Sequence, residues 1–174
     1  QYYGFDANWE GGLDLAREKF ENEDYHFIEC VVPDTMAIGE QRATLSISLE
    51  TLEHLPQDLL ARYLAKLSDL TDGYIFISVP NEKGPLFLAK YLVKKLVLKR
   101  VQEYSFAELV WATFGRMKRV RRDQHKGFDY RELHAQLREY FDPIETNGIP
   151  FAALPLFLNS QVGFVMKSRP STSL

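Results

Sequence analysis

The sequence predicts an open α/β fold with a mostly parallel sheet, and three observations carry that prediction. Strand-length apolar runs alternate with stretches at helical spacing from Tyr2 to Asn81, the order that parallel strands joined by crossovers require. The uncharged run Ala43–Leu49 passes directly into Glu50-Thr51-Leu52-Glu53-His54, and an open α/β sheet places its ligand-binding groups at such carboxyl ends. The last two strand signals, Pro143–Thr146 and Gln161–Lys167, are separated by a long apolar connection. That break predicts an antiparallel finish and hence a mixed sheet.

With 174 residues, 45% of them hydrophobic and 13% aromatic, the chain suits one domain with a sizeable core. The single cysteine, Cys30, excludes an intramolecular disulfide framework and a cysteine metal cluster. It points to a reducing, cytoplasmic setting, and Cys30 itself is expected as a small buried apolar residue. No apolar run reaches the ~20 residues that span a bilayer. The net charge of -3 hides an asymmetry. Lys83–Lys126 holds twelve Lys and Arg against Glu103, Glu108 and Asp123, or +9, which leaves -12 for the rest. A segment of that kind points to an anionic partner.

Taken in order, Tyr2–Asp6 predicts a short strand ending on a carboxylate, followed by a helix with Leu13, Leu15, Ala16 and Phe20 inward. An acid at that position either takes ribose hydroxyls over the crevice of a nucleotide-binding sheet or merely caps the helix. Tyr25–Val32 predicts a second strand closed by Pro33-Asp34, and Thr35–Arg42 a loop. After the strand Ala43–Leu49, a helix is expected from Pro56 to Leu70 with Leu59, Leu60, Tyr63, Leu64 and Leu67 on its apolar face. Thr71-Asp72-Gly73 should stop it before the strand Tyr74–Val79. The basic segment predicts a helix over 86–100 with a stripe of Leu88, Leu92 and Leu96, and another from Ser105 to Phe114 capped by Ser105 and Glu108. That pair reads either as a lid meeting lipid or an anionic substrate, or as a solvated surface over a core-packed hairpin. Asp129–Phe141 predicts a helix with Leu133, Leu137 and Phe141 inward, and the tail from Ser168 should fray.

Three motifs then carry a resemblance: Gly4-Phe5-Asp6 with Leu15-Ala16, Leu49-Glu50-Thr51-Leu52-Glu53-His54-Leu55, and Asp72-Gly73-Tyr74-Ile75-Phe76-Ile77-Ser78-Val79-Pro80-Asn81. In order and separation they resemble the second to fifth strands of class I S-adenosylmethionine-dependent methyltransferases, nearest in pattern to the ubiquinone-biosynthesis O-methyltransferases. The resemblance implies a Rossmann-like three-layer sandwich, N-terminally incomplete. The family's first strand and glycine-rich loop would lie upstream of Gln1, and Thr44 stands where the family usually has an acid.

The same resemblance implies roles. Asp6 would hold the ribose of S-adenosylmethionine, with Ala7 and Asn8 beside the adenosine and Pro33 and Asp34 near the adenine. Leu49 and Glu50 would flank the methionine portion. His125 and His54 are the candidate bases, and 84–126 would form a helical, basic lid over the acceptor pocket. Methyl transfer needs chiefly alignment of nucleophile and methyl group, with a base where the acceptor is a hydroxyl. The expected acceptor is a small molecule, anionic or lipid-linked, with peripheral contact to an anionic membrane through 86–122. A nucleic-acid acceptor is disfavoured, because Tyr91, Tyr104, Phe106, Trp111 and Phe114 sit at core spacing rather than as a stacking platform. The rivals are an inactive methyltransferase-like domain that binds a partner or membrane through 86–122, and a dinucleotide-dependent oxidoreductase.

Overall fold

In the computed structural model, which describes residues 1–98, 104–123 and 126–169, strands and helices alternate as the sequence predicts. The elements are β1 (Tyr2–Asp6), α1 (Gly12–Phe20), β2 (Tyr25–Glu29), β3 (Ala43–Leu49), α2 (Gln57–Leu70), β4 (Thr71–Pro80), α3 (Pro85–Leu98), α4 (Phe106–Thr113), α5 (Tyr130–Tyr140), β5 (Phe141–Ile149) and β6 (Gln161–Ser168). β1 pairs with β2 and β3 with β4, both in parallel, while β6 lies antiparallel between β4 and β5. This is a Rossmann-like α/β fold with a mixed sheet.

The main core follows from the period-two alternation of β4 and β6. Ile75, Ile77 and Val79 share one face with Val162, Phe164 and Met166, all fully buried. Leu60, Leu64 and Leu67 of α2 and Leu133 and Leu137 of α5 close over that face, with Leu52 and Phe141. The opposite face leaves Leu45, Ile47 and Leu49 of β3 and Tyr74 of β4 exposed.

Several details depart from the sequence expectation, each for a local reason. The strands form two hydrogen-bonded sheets, β1-β2 and β3-β4-β6-β5, rather than one. The connection from Cys30 to Arg42 holds only a 3-10 turn at Pro33–Thr35, and an Asp34–Arg62 ion pair ties that turn to α2. β2 ends at Glu29 instead of Val32. Cys30 then closes the ladder through its N–H to the Asp6 carbonyl at 2.8 Å. Cys30 is half-buried, with its thiol donating to the Val32 carbonyl at 3.0 Å.

In α1 only Leu13 is buried. Arg17 turns inward, its Nε donating to the Phe27 carbonyl at 3.0 Å, and this rotation leaves Leu15 and Phe20 exposed. Thr71-Asp72-Gly73 does not separate helix from strand; it opens β4. Thr71 Oγ1 donates back to the Leu67 carbonyl at 2.7 Å, which finishes α2 as the strand begins. Gly73 is required there, because a Cβ would lie 2.1 Å from the Thr44 carbonyl oxygen on β3. At the other end, β6 includes Ser168 rather than fraying at it. Arg169 anchors the strand through bonds to the Glu139 and Arg138 carbonyls, each at 2.7 Å.

The basic segment builds its own small core of Phe87, Tyr91, Tyr104, Ala112, Met117 and Val120. The expected leucine stripe does not face it. Phe87 and Tyr91 occupy the inward side of α3, and aromatic rings bury more area than the aliphatic residues they displace. Ser105 and Glu108 form the expected capping box on α4.

Candidate functional site

The parallel strands bring their polar residues to their carboxyl ends, and the backbone there is arranged to present them. At the end of β1, Asp6 is exposed, and its Oδ1 accepts from the Asn8 N–H at 2.6 Å. Asn8 sits at φ 56, a left-handed conformation that asparagine tolerates better than most residues. Its side-chain oxygen accepts from the Leu13 N–H at 3.1 Å and starts α1. Ala7-Asn8 is therefore a fixed turn that orients the Asp6 carboxylate. Pro33 is buried under its 3-10 turn, whereas Asp34 points to Arg62 of α2.

A second group gathers at the ends of β3 and β4. Glu50 lies just past Leu49 at φ 50, and its N–H donates to the Ser78 carbonyl at 3.0 Å. That strained bend turns the Glu50 side chain into the structure, where Oε1 is buried and has no hydrogen-bond partner. Burial pushes the Glu50 carboxyl up, against hydrogen bonds from Gln161 and Ser78 and the nearby charges of Lys90 and His54. Glu53, in the 3-10 turn Leu52–His54, is only 1% exposed. Its carboxyl is pushed up to about 7, first by burial and further by the charges of Glu50 and Glu82. Arg122 donates to the Glu53 carbonyl at 3.3 Å.

Glu82, two residues past β4, is also pushed up by burial and accepts from the Tyr104 hydroxyl at 3.3 Å. Burial with that acid alongside raises the Tyr104 phenol in turn. Beside this group, Lys83 makes a buried ion pair with Asp129 and sits 3.9 Å from the centre of the Tyr130 ring. Glu53 can hold a proton near neutral pH, as a general base or acid must, and burial shifts Glu50 and Glu82 in the same direction.

The sequence-derived candidates thus separate into two places. Asp6, Ala7 and Asn8 lie at the end of β1, and Leu49, Glu50 and His54 at the end of β3 and just after it. His54 is partly exposed, with Nε2 3.8 Å from Glu53 Oε1. His125 lies outside the described residues. Glu53 is a buried member of the carboxylate group. The contributions of Glu82, Lys90, Ser78, Gln161 and Tyr104 are not apparent in the one-dimensional pattern. Only Glu82 left a signal, standing directly after Pro80-Asn81 at the end of a buried strand. A cleft of about 390 Å³ lies nearby, lined among others by Leu55, Met117, Val120, Arg122 and Glu132. It shares Arg122 with the carboxylate group but reaches neither Asp6 nor Glu50.

No protein-family model matches the sequence, and no curated protein sequence matches it either. Solved structures do. An S-adenosylmethionine-dependent methyltransferase from Clostridium acetobutylicum superposes with a TM-score of 0.61 at 10% identity, over 97% of this chain and 75% of that one. A Pyrococcus horikoshii protein gives 0.59 at 10% identity, over 97% and 72%. The Burkholderia thailandensis 1,6-didemethyltoxoflavin-N1-methyltransferase, solved with 1,6-didemethyltoxoflavin and S-adenosylhomocysteine, gives 0.54 at 20% identity. There this chain is covered over 97% but spans only 61% of the enzyme. The fold is that of class I methyltransferases.

Proposed function

We propose that this chain belongs to an S-adenosylmethionine-dependent methyltransferase acting on a small-molecule acceptor. One observation carries the reading: within a methyltransferase fold, Asp6 ends the parallel strand β1, and Glu50 and Glu53 follow the carboxyl end of the parallel strand β3. The residues present fit the cofactor. The exposed, backbone-oriented Asp6 carboxylate suits a pair of ribose hydroxyls, and Ala7 and Asn8 form the turn beside it. Pro33 closes the adenine side; Asp34, engaged with Arg62, shapes that loop rather than reaching inward. Leu49 and Glu50 border the methionine side, where the unpartnered Glu50 Oε1 can accept an ammonium N–H. Bound there, S-adenosylmethionine supplies a methyl group on an electrophilic sulfonium.

The chain's own residues then orient the acceptor and hold its proton. Glu53, with a carboxyl near neutrality, is the favoured base, with His54 beside it as an alternative and His125 as a further candidate. Segment 84–126 forms the acceptor-side lid, and Lys90 brings positive charge toward Glu50 and Glu82 from it. That charge suits an anionic or lipid-linked acceptor, as in the ubiquinone-type O-methyltransferases. Among the described residues, no strand pairs with the free edge of β1 or of β3.

Calorimetric titration of the natural full-length protein tests this reading. S-adenosylhomocysteine is expected to bind and NAD not to. Asp6→Ala should weaken the former at least tenfold, because two ribose hydrogen bonds to a charged group are lost. Unchanged affinity in Asp6→Ala would remove the ribose assignment. Absence of binding to either ligand would leave an inactive domain, and NAD binding would favour an oxidoreductase.

A further inference from the structure

We propose that the outer face of α3 is a docking surface for an anionic lipid bilayer. α3 packs inward through Phe87 and Tyr91, whose rings meet Tyr104 at 5.3 and 5.4 Å between centroids. At about 3.6 residues per turn, Ala89, Leu92, Val93, Leu96 and Val97 fall on the side opposite those rings. The structure leaves that side open: Leu92 is 47% exposed, Val93 60%, Leu96 79% and Val97 71%. These side chains cluster in the last two turns of the helix, where no residue from Leu92 to Val97 is buried.

Charge decides what covers the face. By the same helical spacing, Lys90 and Lys94 flank the apolar arc on one side and Lys95 flanks it on the other. The surrounding segment, Lys83–Lys126, carries +9 while the rest of the chain carries -12. A symmetric pairing of two copies through this arc would set lysines against lysines. An anionic headgroup layer over acyl chains instead matches both parts of the surface, with lysine stems lying along the apolar boundary and ammonium groups at the phosphates. Among the described residues, no helix is long and apolar enough to cross a membrane, so the contact is one of lying on the bilayer. α4 has a similar outward side, with Phe106 84% and Phe114 76% exposed, and it shares the small core with α3. These two exposed aromatics overturn the expectation that the segment's aromatic residues are all core residues.

This proposal does not depend on methyl transfer, and a binding assay tests it directly. The full chain is floated with phosphatidylcholine vesicles containing phosphatidylglycerol, and with phosphatidylcholine alone, at low salt. Flotation is expected only with the anionic vesicles. Each basic residue near an anionic surface is worth roughly a fivefold change in partitioning, so Lys94→Glu/Lys95→Glu should lower it at least tenfold. Val93→Asp/Leu96→Asp should do the same through the apolar contact, with unchanged circular dichroism because all four side chains are exposed. Failure of the wild-type chain to float with anionic vesicles overturns the proposal. So does equal flotation of the Val93→Asp/Leu96→Asp variant. A wild-type dimer that the same variant dissolves, without flotation, assigns the face to a second copy.

Discussion

Glu53 illustrates how one buried carboxyl can couple the site to stability. Between pH 4.5, its ordinary value, and about 7, its folded value, the folded chain holds a proton that the unfolded chain has released. Stability from this group is complete below the lower value and is lost as pH rises through the upper one. Replacing it with the neutral, nearly isosteric amide removes that dependence. Glu53→Gln is therefore expected to gain on wild type across this window, by roughly 3 kcal/mol at pH 8. Urea unfolding at pH 5 and pH 8 measures the difference, and parallel curves would show that Glu53 is ionised in the fold at little cost. If Glu53 is the base, the same variant should also flatten the acid limb of the methyl-transfer profile. The polarity of Glu50–His54 was visible in the sequence, but which acid is buried was not. That depends on Glu82, Lys90 and Arg122, which approach from elements far along the chain.

At the scale of elements, the connection between β5 and β6 is held by two buried asparagines, Asn159 and Asn81. Asn159, almost wholly buried, accepts from the Phe151 N–H at 2.8 Å and donates toward the carbonyls of Phe151 at 3.1 Å and Pro155 at 3.2 Å. Asn81 donates to the Leu156 and Asn159 carbonyls at 2.9 and 3.0 Å and so ties this connection to the end of β4. Gly148 makes room for it, since a Cβ there would lie 2.1 Å from Asn159 Nδ2. Gly148→Ala should displace the amide and strand several buried backbone groups, costing about 2–4 kcal/mol. Thermal unfolding checks this, and an unaltered midpoint would mean that Asn159 shifts freely. The sequence showed a long apolar connection here and no more, because one asparagine in a loop looks the same whether it organises that loop or only faces water. The capping box at Ser105 and Glu108 was legible for the opposite reason: both partners lie within one helical turn.

For the whole molecule, local alternation was enough to read the α/β class and the antiparallel finish, because both depend on the order of elements. Sheet continuity was not readable, because whether two strand pairs join edge to edge depends on their placement in space and not on the order of elements. The direction faced by α3 was missed because leucine periodicity marks an apolar side without saying what covers it. The two clusters of buried side chains have unequal weight. The main one joins α2 and α5 to fully buried residues of β4 and β6, whereas the second holds, among the described residues, six buried side chains from α3, α4 and the segments on either side of α4. A unit with little buried area opens more readily than the strands of a central sheet. Amide hydrogen exchange should therefore find peptides within 86–97 exchanging roughly a hundredfold faster than those within 74–80 and 161–168. Vesicle binding should slow the former and leave the latter unchanged. Equal protection in the free protein would show that the basic segment and the sheet open as one unit, and the segment could then not act as a separately moving lid.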